Sequence, residues 1–458
     1  MNTPYYQDDS VTLHHGDCLA VLAELTDSSV DAVVTDPPYG ISFMGRQWDQ
    51  PGQFGSARGD GKPRGGHANS RGSHDAIAAG SYDLSPAAMR NFQSWCTAWA
   101  SECRRVLKPG GHLLAFGGSR TWHRLAAGIE DAGFEMRDSI AWLYGSGFPK
   151  SLDVSKAIDK AAEREVIGKS NRCIGPSQSG ANGIGTFKEA NWETSNVITA
   201  PATDAAKQWQ GWGTALKPSF EPIVVARKPL SGTVATNVLA HGTGALNIDA
   251  CRIATTDDLN GGGYSGVEKR STSVIYDRGK GIPRGGIGEF HQPDGRWPTN
   301  VVLDEEQAAE LDAQSGVLSS GMMRAGTARA ERDGVIYGKL EGDATSRDTY
   351  GDSGGASRFF PVFRYEAKAP TAERPTAGGV AHPTVKPLDL MRWLVRLVTP
   401  PGGLVLEPFA GSGTTAEACI HEHMRCIAIE READYLPLIV GRLTKPIEVG
   451  FDFGEAAI

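Results

Sequence analysis

The chain has 458 residues, 40% of them hydrophobic and 22% charged, which is ordinary for a globular protein with one large domain and insertions. The formal net charge of −8 excludes an evenly basic surface, so a nucleic-acid partner would require Lys and Arg to be gathered on one face. The seven cysteines include no Cys-x-x-Cys pair, which argues against a disulfide framework and a zinc module and favours a reducing compartment. No apolar run is long enough to span a bilayer and the N-terminal residues lack a signal-peptide pattern, so we expect a cytoplasmic protein without a membrane partner.

Strand and helix patterns alternate along the first part of the chain. Apolar, β-branched runs predict strands, and apolar residues at three- and four-residue spacing predict helices. The predicted elements are a strand at 11–15, a helix at 19–25, a strand at 30–35, a helix at 89–106, a strand at 112–116, a helix at 121–132 and a strand at 139–144. Residues 108–111, Lys-Pro-Gly-Gly, predict a turn. A strand at 222–226 is the expected hairpin partner of 139–144.

Three Gly-rich segments interrupt this pattern. Residues 41–80 carry interspersed arginines and are interpreted as a long mobile loop. Residues 145–219 and 229–375 are irregular and do not repeat the strand–helix pattern. The pattern returns near the C-terminus, with a helix at 387–398, a strand at 404–407, a helix at 415–422 and a strand at 425–430.

The turn after the strand at 404–407 is typical of a nucleotide-binding loop. Its Gly411-Ser412-Gly413 sequence allows backbone amides to approach a ligand closely. It lacks both the full Gly-x-Gly-x-x-Gly spacing and a Gly-Lys-Ser/Thr sequence, which disfavours a dinucleotide site and a P-loop. Glu430 ends the next strand, at the spacing expected of an acid that binds ribose hydroxyls. A nucleoside cofactor without a diphosphate, such as S-adenosylmethionine, fits best; the alternative is a structural turn with a surface Glu.

Asp36-Pro37-Pro38-Tyr39 follows the strand at 30–35 and suits chemistry on the exocyclic amino group of a nucleobase. Such a nitrogen is a poor nucleophile because its lone pair is delocalised into the ring. Two acceptors on its N–H bonds, the Asp36 carboxylate and the Pro37 carbonyl, would free that lone pair. The Tyr39 ring can stack on the base. Alone, the tetrapeptide is equally typical of a strand-ending turn, and the cofactor loop is what favours catalysis.

Together these motifs resemble the S-adenosylmethionine-dependent amino-group DNA methyltransferases, in the β-type order that places the catalytic motif before the cofactor loop. Residues 16–19 are similar to the turn that contacts the cofactor adenine, and residues 382–387 to the segment that closes over its methionine part. The resemblance implies a Rossmann-like, doubly wound, seven-stranded α/β sheet that is circularly permuted. The implied catalytic residues are Asp36, Pro37, Pro38 and Tyr39; the implied cofactor-binding residues are Asp17, Cys18, Thr384, Lys386, Pro387, Glu407, Pro408, Phe409, Gly411, Ser412, Gly413, Thr414 and Glu430.

The resemblance also implies a division of the chain and a partner. The expected parts are 1–144 as the catalytic part, 145–219 as an insertion, 220–228 as a returning strand, 229–379 as a target-recognition region, 380–445 as the cofactor-binding part and 446–458 as a tail. The expected partner is double-stranded DNA, from which the target base is flipped, and no metal is expected. A homodimer and a companion restriction enzyme are both compatible with the sequence.

The choice of Asp and Tyr in the catalytic motif favours adenine N6, with cytosine N4 as the alternative. A methyltransferase for RNA or protein glutamine is disfavoured by Asp36, because such protein enzymes tend to carry Asn there. A catalytically silent nucleic-acid-binding module is disfavoured by the intact motifs. Two features depart from the family pattern: Glu407, where many relatives have Asp, and the length of the 41–80 loop.

Other candidate signals have simpler interpretations. The spacing of His421, His423 and Cys426 spreads them over different faces and disfavours a metal site. His14 and His15 are interpreted as positions on a strand, and Trp95 and Trp99 as core at helical spacing. Trp209 and Trp212 either anchor the insertion or contact DNA. The arginines of 41–80 either form a lid that contacts phosphates or belong to a solvated loop.

Overall fold

The computed structural model of the protein describes residues 3–41, 49, 84–145, 151–160, 162, 164–169, 197–255, 257, 259, 293–319, 332–334, 338–340, 352–363, 376–377 and 380–445. The chain forms two compact units, one of residues 1–245 with 365–458 and the other of residues 246–364. The predicted mobile loop at 41–80, apart from residues 41 and 49, and the predicted tail at 446–458 lie outside the described residues.

A mostly parallel sheet forms the centre of the first unit. Its strands are β1 (Tyr6–Gln7), β2 (Val11–His15), β3 (Val30–Thr35), β4 (Leu107–Phe116), β5 (Glu135–Leu143), β6 (Phe220–Arg227), β7 (Leu404–Glu407) and β8 (Arg425–Glu430). They lie in the order β1-β2-β8-β7-β3-β4-β6-β5. Strands β2, β8, β7, β3 and β4 are parallel, whereas β6 runs antiparallel to both β4 and β5. The predicted seven-stranded, doubly wound sheet is confirmed in β2 to β8, and β1 adds a two-residue antiparallel edge.

The sheet is circularly permuted, as predicted. Strands β7 and β8, which come late in the chain, lie between β2 and β3, which come early. Val405 pairs with Ala32 on one side of β7, and Ile427 of β8 pairs with Thr12 of β2. Because these strands are parallel, their carboxyl ends all meet at one edge of the sheet, where ligands of open α/β sheets bind.

The described part of the first unit contains the five predicted helices, whose ends lie within three residues of the predicted positions, and four helices that were not predicted, at 154–158, 204–208, 234–241 and 436–443. They are α1 (Cys18–Glu24), α2 (Pro86–Val106), α3 (Trp122–Asp131), α4 (Val154–Ile158), α5 (Asp204–Gln208), α6 (Val234–His241), α7 (Leu388–Val398), α8 (Thr414–His421) and α9 (Leu436–Leu443), with a 3₁₀ turn at Ala433–Tyr435. Helix α2 shows why the pattern was readable. The Ser85 side chain caps it, Pro86 occupies its first turn, and its buried residues recur at helical spacing.

Helix α2 packs two tryptophans against the turn that follows β7. Trp99 is fully buried, and its ring centroid lies 5.5 Å from that of Phe409. Trp95 is half-buried and lies at the same 5.5 Å from the Phe409 ring. The prediction that both tryptophans belong to the core is confirmed.

One predicted turn is instead part of a strand. Residues 108–111 lie within β4, where the pairing with β3 jumps from Val30–Leu107 to Ala32–His112. The extra residues form a bulge, and Gly110 adopts a φ of +80° there. The sequence Lys-Pro-Gly-Gly indicated a turn because a bulge uses the same residue types as a turn.

The segments expected to be irregular contain short elements. Residues 145–219 include α4, α5 and an antiparallel pair formed by Val166–Lys169 and Val197–Thr199. The second unit holds a parallel pair, Val301–Asp304 with Val362–Phe363, the helix Glu305–Ser315, 3₁₀ turns at Asp249–Cys251 and Ala356–Phe359, and the strand pairs Leu318–Ser319 with Ser353–Gly354 and Arg332–Gly334 with Gly338–Leu340. Thr376–Ala377 pairs with Val380–Ala381 in the first unit. The two- and three-residue strands among these carry too little periodicity to be predicted from a sequence.

None of the helices in the described part of the chain combines the length and the apolar composition that a membrane crossing requires.

Replacing Trp99 by Ala is expected to lower the free energy of unfolding by about 3–5 kcal/mol, because a fully buried indole is lost and a cavity remains. Urea unfolding measures this change. Leu239→Ala is the control, since that side chain is 89% exposed and should change the free energy by less than about 0.5 kcal/mol. A similar small change for Trp99→Ala would contradict its place in the core.

Candidate active site

The predicted site residues come together at the carboxyl edge of the parallel strands. Asp17 follows β2, Glu430 ends β8, Glu407 ends β7 and Asp36 follows β3. The backbone also ties neighbouring ends together, since the Gly16 amide donates to the Glu430 carbonyl over 3.0 Å. The edge therefore joins residues that are hundreds of positions apart in the sequence.

Glu407 connects β3, which leads into the predicted catalytic turn of residues 36–39, to the predicted cofactor turn of residues 411–413. Its Oε1 accepts hydrogen bonds from Thr35 Oγ1 at 2.5 Å and from the Phe409 amide at 3.0 Å. Its Oε2 accepts from Thr415 Oγ1, in the first turn of α8, at 2.6 Å. The side chain is buried, and this burial raises the pKa of Glu407 to about 8 despite the three donors. Because Thr35 immediately precedes Asp36, Glu407 fixes the start of the catalytic turn.

The cofactor turn depends on its glycines. Gly411 has a φ of +53° and Gly413 a φ of +79°, which L side chains rarely adopt. A Cβ at Gly411 would also lie 3.3 Å from the His382 ring, and one at Gly413 would lie 2.9 Å from Ile439. The predicted requirement for glycine is therefore steric at both positions.

Arg442, on α9, forms hydrogen bonds with the same turn. It is almost fully buried, and its Nη1 donates to the Ser412 carbonyl and to Thr414 Oγ1. The Ser412 and Thr414 hydroxyls lie 2.9 Å apart and bond each other. Arg442 also pairs with Glu417 on α8. Arg442 Nη1 also donates to the Ser412 hydroxyl, so it contacts both hydroxyls and the backbone of the turn.

Glu430 presents a buried carboxylate beside the turn. Its Oε2 accepts from the Gly411 amide and its Oε1 from the Glu432 amide, each over 2.8 Å. Burial is the main reason that the pKa of Glu430 rises to about 7. A carboxylate offers about four acceptor positions, so both oxygens keep acceptor capacity for ribose hydroxyls.

In the turn after β2, the Asp17 side chain caps a helix, whereas the Cys18 side chain is buried in the core. The Asp17 side chain caps α1 by accepting from the Leu19 amide at 3.0 Å. Cys18 is the first residue of α1, and its side chain is buried in the core. Burial, with a contribution from Asp17, raises the pKa of the Cys18 thiol to about 12, so this thiol stays protonated.

The predicted catalytic turn, residues 36–39, is stabilised by contacts within the turn and with neighbouring residues. The Tyr39 hydroxyl lies 2.9 Å from Asp36 Oδ1, and Gly118 lies so close to the Tyr39 ring that a Cβ there would be 3.0 Å from a ring carbon. Pro37 is buried and Pro38 half-buried. Beyond the turn, the buried Asp49 carboxylate accepts from the Gly40 and Ile41 amides at 2.6 and 3.2 Å.

Lys386, which the sequence predicted to bind the cofactor, forms an ion pair with the Asp36 carboxylate. Its Nζ is 2.7 Å from Asp36 Oδ2, 3.2 Å from the Tyr39 hydroxyl and 3.3 Å from Glu221 Oε2. The ammonium also lies 4.8 Å above the Phe116 ring. Burial opposes the charged form, but the Asp36 and Glu221 carboxylates outweigh it and raise the pKa of Lys386.

Of residues 382–387, His382 packs on the predicted cofactor turn. The His382 ring packs against Gly411 and against the Tyr435 ring, with ring centroids 4.5 Å apart in the second contact. His382 Nδ1 also contacts the Thr384 carbonyl. Pro387 precedes α7 as its N-cap residue. Pro408 is buried and Phe409 packs on the α2 tryptophans, so the first part of the loop faces the core.

Sequence reasoning missed the residues that act through tertiary contacts: Thr35, Asp49, Glu221, Thr415 and Arg442. Two of them carried a readable signal. Glu221 is the second residue of a returning strand, and an antiparallel strand begins at the edge where its parallel neighbours end. Arg442 is a charged residue on the apolar face of α9. Within the described residues, no three His, Cys, Asp or Glu side chains are grouped so that they could hold a metal ion.

The sheet order, the glycine turn and the acid at the end of the next strand define a Rossmann-like nucleotide-binding class. Comparison with known families identifies it further. Residues 30–163 and 184–441 match the model of the DNA methylase family of N6/N4 methyltransferases, which covers more than half of the chain. The protein belongs to this N6/N4 DNA methylase family.

Two characterised relatives are similar to parts of the chain. Type II methyltransferase M.HindIII of Haemophilus influenzae is 25% identical over 239 residues, which are 51% of this chain and 64% of that protein. Type II methyltransferase M2.LlaDCHI of Lactococcus lactis subsp. cremoris is 25% identical over 142 residues, which are 31% of this chain and 45% of that protein. The similarity thus spans about half to two thirds of the length of these relatives.

Two solved structures were also compared with the protein. The complex of M1.HpyAVI with SAM aligns with 95% of this chain and 99% of its own, at 13% identity and a TM-score of 0.37. The PvuII DNA methyltransferase, described as cytosine-N4-specific, aligns with 96% of this chain and 88% of its own, at 13% identity and a TM-score of 0.42.

The raised pKa of Glu407 predicts a pH-dependent stability. Its pKa is about 8 in the folded protein, against about 4.3 for an ordinary Glu in the unfolded chain. Between these values the folded state binds a proton that the unfolded state does not, so the free energy of unfolding falls as pH rises. The slope approaches about 1.4 kcal/mol per pH unit for one proton.

Glu407→Gln, a neutral mimic of the protonated acid, is expected to lose this contribution. Urea unfolding of both proteins at about pH 5 and about pH 8.5 measures it. The wild type should lose stability relative to the variant as pH rises, while Glu430 affects both proteins equally. Glu130→Gln, at an exposed position of α3, is the control. Parallel pH curves for the wild type and Glu407→Gln would contradict the assignment.

Proposed function

We propose that the protein transfers a methyl group from S-adenosylmethionine to the exocyclic amino group of a base in double-stranded DNA, and that this group is N6 of adenine. The observation that carries the proposal is the juxtaposition of Asp36 with the cofactor turn at the ends of the neighbouring strands β3 and β7. Glu407 joins the two by hydrogen bonds.

The residues of the edge fit this cofactor. The positive-φ glycines give the turn the tight geometry of a nucleotide-binding loop, and Glu430 offers acceptors for ribose hydroxyls. The turn has no Lys or Arg to bind a diphosphate, in agreement with a nucleoside cofactor. When bound, S-adenosylmethionine supplies an electrophilic methyl group, and its sulfur keeps the electron pair of the broken carbon–sulfur bond.

The chain's own residues prepare the acceptor nitrogen. Asp36 accepts one N–H of the amino group and the Pro37 carbonyl the other, which localises the nitrogen lone pair for attack on the methyl carbon. The Tyr39 ring stacks on the flipped base. As the new nitrogen–carbon bond forms, the nitrogen becomes positively charged beside the Asp36 carboxylate, and it then gives one proton through this hydrogen bond to Asp36, which passes the proton to solvent. The chemistry is positional and electrostatic, without a covalent enzyme intermediate.

Sequence recognition belongs, in this proposal, to the region 229–379, within which residues 246–364 form a compact unit of their own. That unit exposes the Trp297 side chain, with the Arg252 guanidinium 5.5 Å from its ring centre. Exposed aromatic rings and arginines are the residue types that stack on bases and contact phosphates. Trp209 and Trp212 form a second exposed pair, with ring centroids 5.0 Å apart.

Incubation of duplex DNA with methyl-labelled S-adenosylmethionine tests the reaction. We expect labelled N6-methyladenine after digestion to nucleosides, and a rate at least about 100-fold lower for Asp36→Ala, because the charged acceptor of the amino group is lost. Asp9→Ala, at an exposed position, should retain the wild-type rate. Label in N4-methylcytosine would show that the target base is cytosine and not adenine. Label in RNA or protein alone would show that the substrate is not DNA. An unchanged rate for Asp36→Ala would contradict the proposed mechanism.

Glu430→Ala is expected to weaken cofactor binding by about 10- to 100-fold, the range for a lost hydrogen bond to a charged group, and to change DNA affinity by less than about twofold. Isothermal titration calorimetry measures the first and fluorescence anisotropy the second. Glu432→Ala, at the partly exposed neighbouring carboxylate, is the matched control. Unchanged cofactor affinity in Glu430→Ala would exclude Glu430 from the site.

A further inference from the structure

Both oxygens of the Asp36 carboxylate already have partners within the protein. Oδ1 lies 2.9 Å from the Tyr39 hydroxyl, and Oδ2 lies 2.7 Å from the Lys386 ammonium. A target amino group must bond to this same carboxylate. A full positive charge at 2.7 Å weakens Asp36 as an acceptor, because it offsets the negative charge that would polarise the incoming N–H bond.

Glu221 faces the same two donors from the other side. Its Oε2 lies 3.1 Å from the Tyr39 hydroxyl and 3.3 Å from Lys386 Nζ. A tyrosine hydroxyl has one hydrogen and can donate to one carboxylate at a time, whereas an ammonium has three. Each donor can therefore leave Asp36 and keep a charged acceptor in Glu221.

The balance of charge favours such an exchange. The described ionised side chains of this cluster are two carboxylates, Asp36 and Glu221, and one ammonium, Lys386. The Lys386 side chain is 11% exposed, so it needs a carboxylate partner at all times. Without Glu221, Lys386 would have Asp36 as its one described carboxylate partner and would bind it more tightly.

The strand direction explains how Glu221 reaches this position. Strand β6 runs antiparallel to β4, and Ile223 pairs with Phe116 at the carboxyl end of β4. Glu221, two residues before Ile223, therefore lies at the edge that carries Asp36. Its place is set by the sheet and not by a flexible loop.

We infer that Glu221 is a positioning residue that takes Lys386 and the Tyr39 hydroxyl from Asp36 when the target base enters. Asp36 is then free to accept the amino N–H, and Lys386 remains paired in the buried site. This role rests on the proposed methyl transfer. It makes Lys386 a group that blocks Asp36 before the base enters and is drawn away by Glu221 during catalysis.

The test compares single-turnover methyl transfer to duplex DNA in the wild type, Glu221→Gln and Glu221→Asp. Glu221→Gln keeps the shape but loses the charge, and its rate is expected to fall by about 10- to 100-fold. Glu221→Asp keeps the charge and should recover most of the rate. Cofactor affinity by calorimetry should stay within about twofold in both, because Glu221 acts on Asp36 and not on the cofactor. Glu130→Gln controls for the substitution, and thermal unfolding confirms that the variants are folded.

Coupling to Lys386 separates this role from a merely structural one. If Glu221 acts by drawing Lys386 away, Glu221→Gln should slow the reaction less than about threefold in a Lys386→Met background, so the two substitutions are strongly non-additive. Additive losses, or a wild-type rate for Glu221→Gln, would overturn the inference while the proposed function stands. A wild type that transfers no methyl group to DNA would overturn the proposed function and this inference with it.

Discussion

The buried Glu407 carboxylate is the interaction on which the active edge depends. It accepts from Thr35, just before the catalytic turn, and from Thr415, at the start of the helix after the cofactor turn. Parallel pairing of β3 with β7 brings these hydroxyls to one carboxylate, although they are far apart in the chain. The permuted order therefore places the turn of residues 411–413, which we propose binds the cofactor, beside Asp36, which we propose accepts the amino group. Burial also raises the pKa of Glu407. The hydrogen bonds that connect the two turns therefore depend on a group whose charge changes near neutral pH.

Function at this edge follows from which strands end there and which begin there. The parallel strands deliver Asp17, Glu430, Glu407 and Asp36 at their carboxyl ends, and the antiparallel β6 delivers Glu221 near its start. Lys386 enters from the segment before α7 and lies between the two carboxylates. The resulting cluster contains Asp36, which we propose accepts the substrate amino group, the Lys386 ammonium bound to it, and a second carboxylate, Glu221, that can hold the ammonium instead.

The features that could be predicted from the sequence are those formed by consecutive residues. Asp36-Pro37-Pro38-Tyr39, the glycine turn and Glu430 each combine a short motif with a strand, and the regular strands β3, β7 and β8 carry clear apolar patterns. Glu221, Arg442 and Asp49 were not predicted, because their roles depend on partners that only the folded chain brings near. Residues 108–111 show a different limit, since a bulge and a turn draw on the same residue types. The helix Glu305–Ser315 was missed because Ala308 is its one buried residue, so it has little apolar periodicity.

A crystal structure of the protein with bound S-adenosylmethionine would test the central claim most directly. The account predicts that the ribose lies at Glu430 and that the methyl carbon points toward Asp36. Its distance to a carboxylate oxygen should be about 4–5 Å, because one amino nitrogen about 3 Å from each directs its N–H bond and its attacking lone pair about 90–109° apart. A methyl group directed away from Asp36, or a cofactor bound away from the Gly411-Ser412-Gly413 turn, would contradict the account.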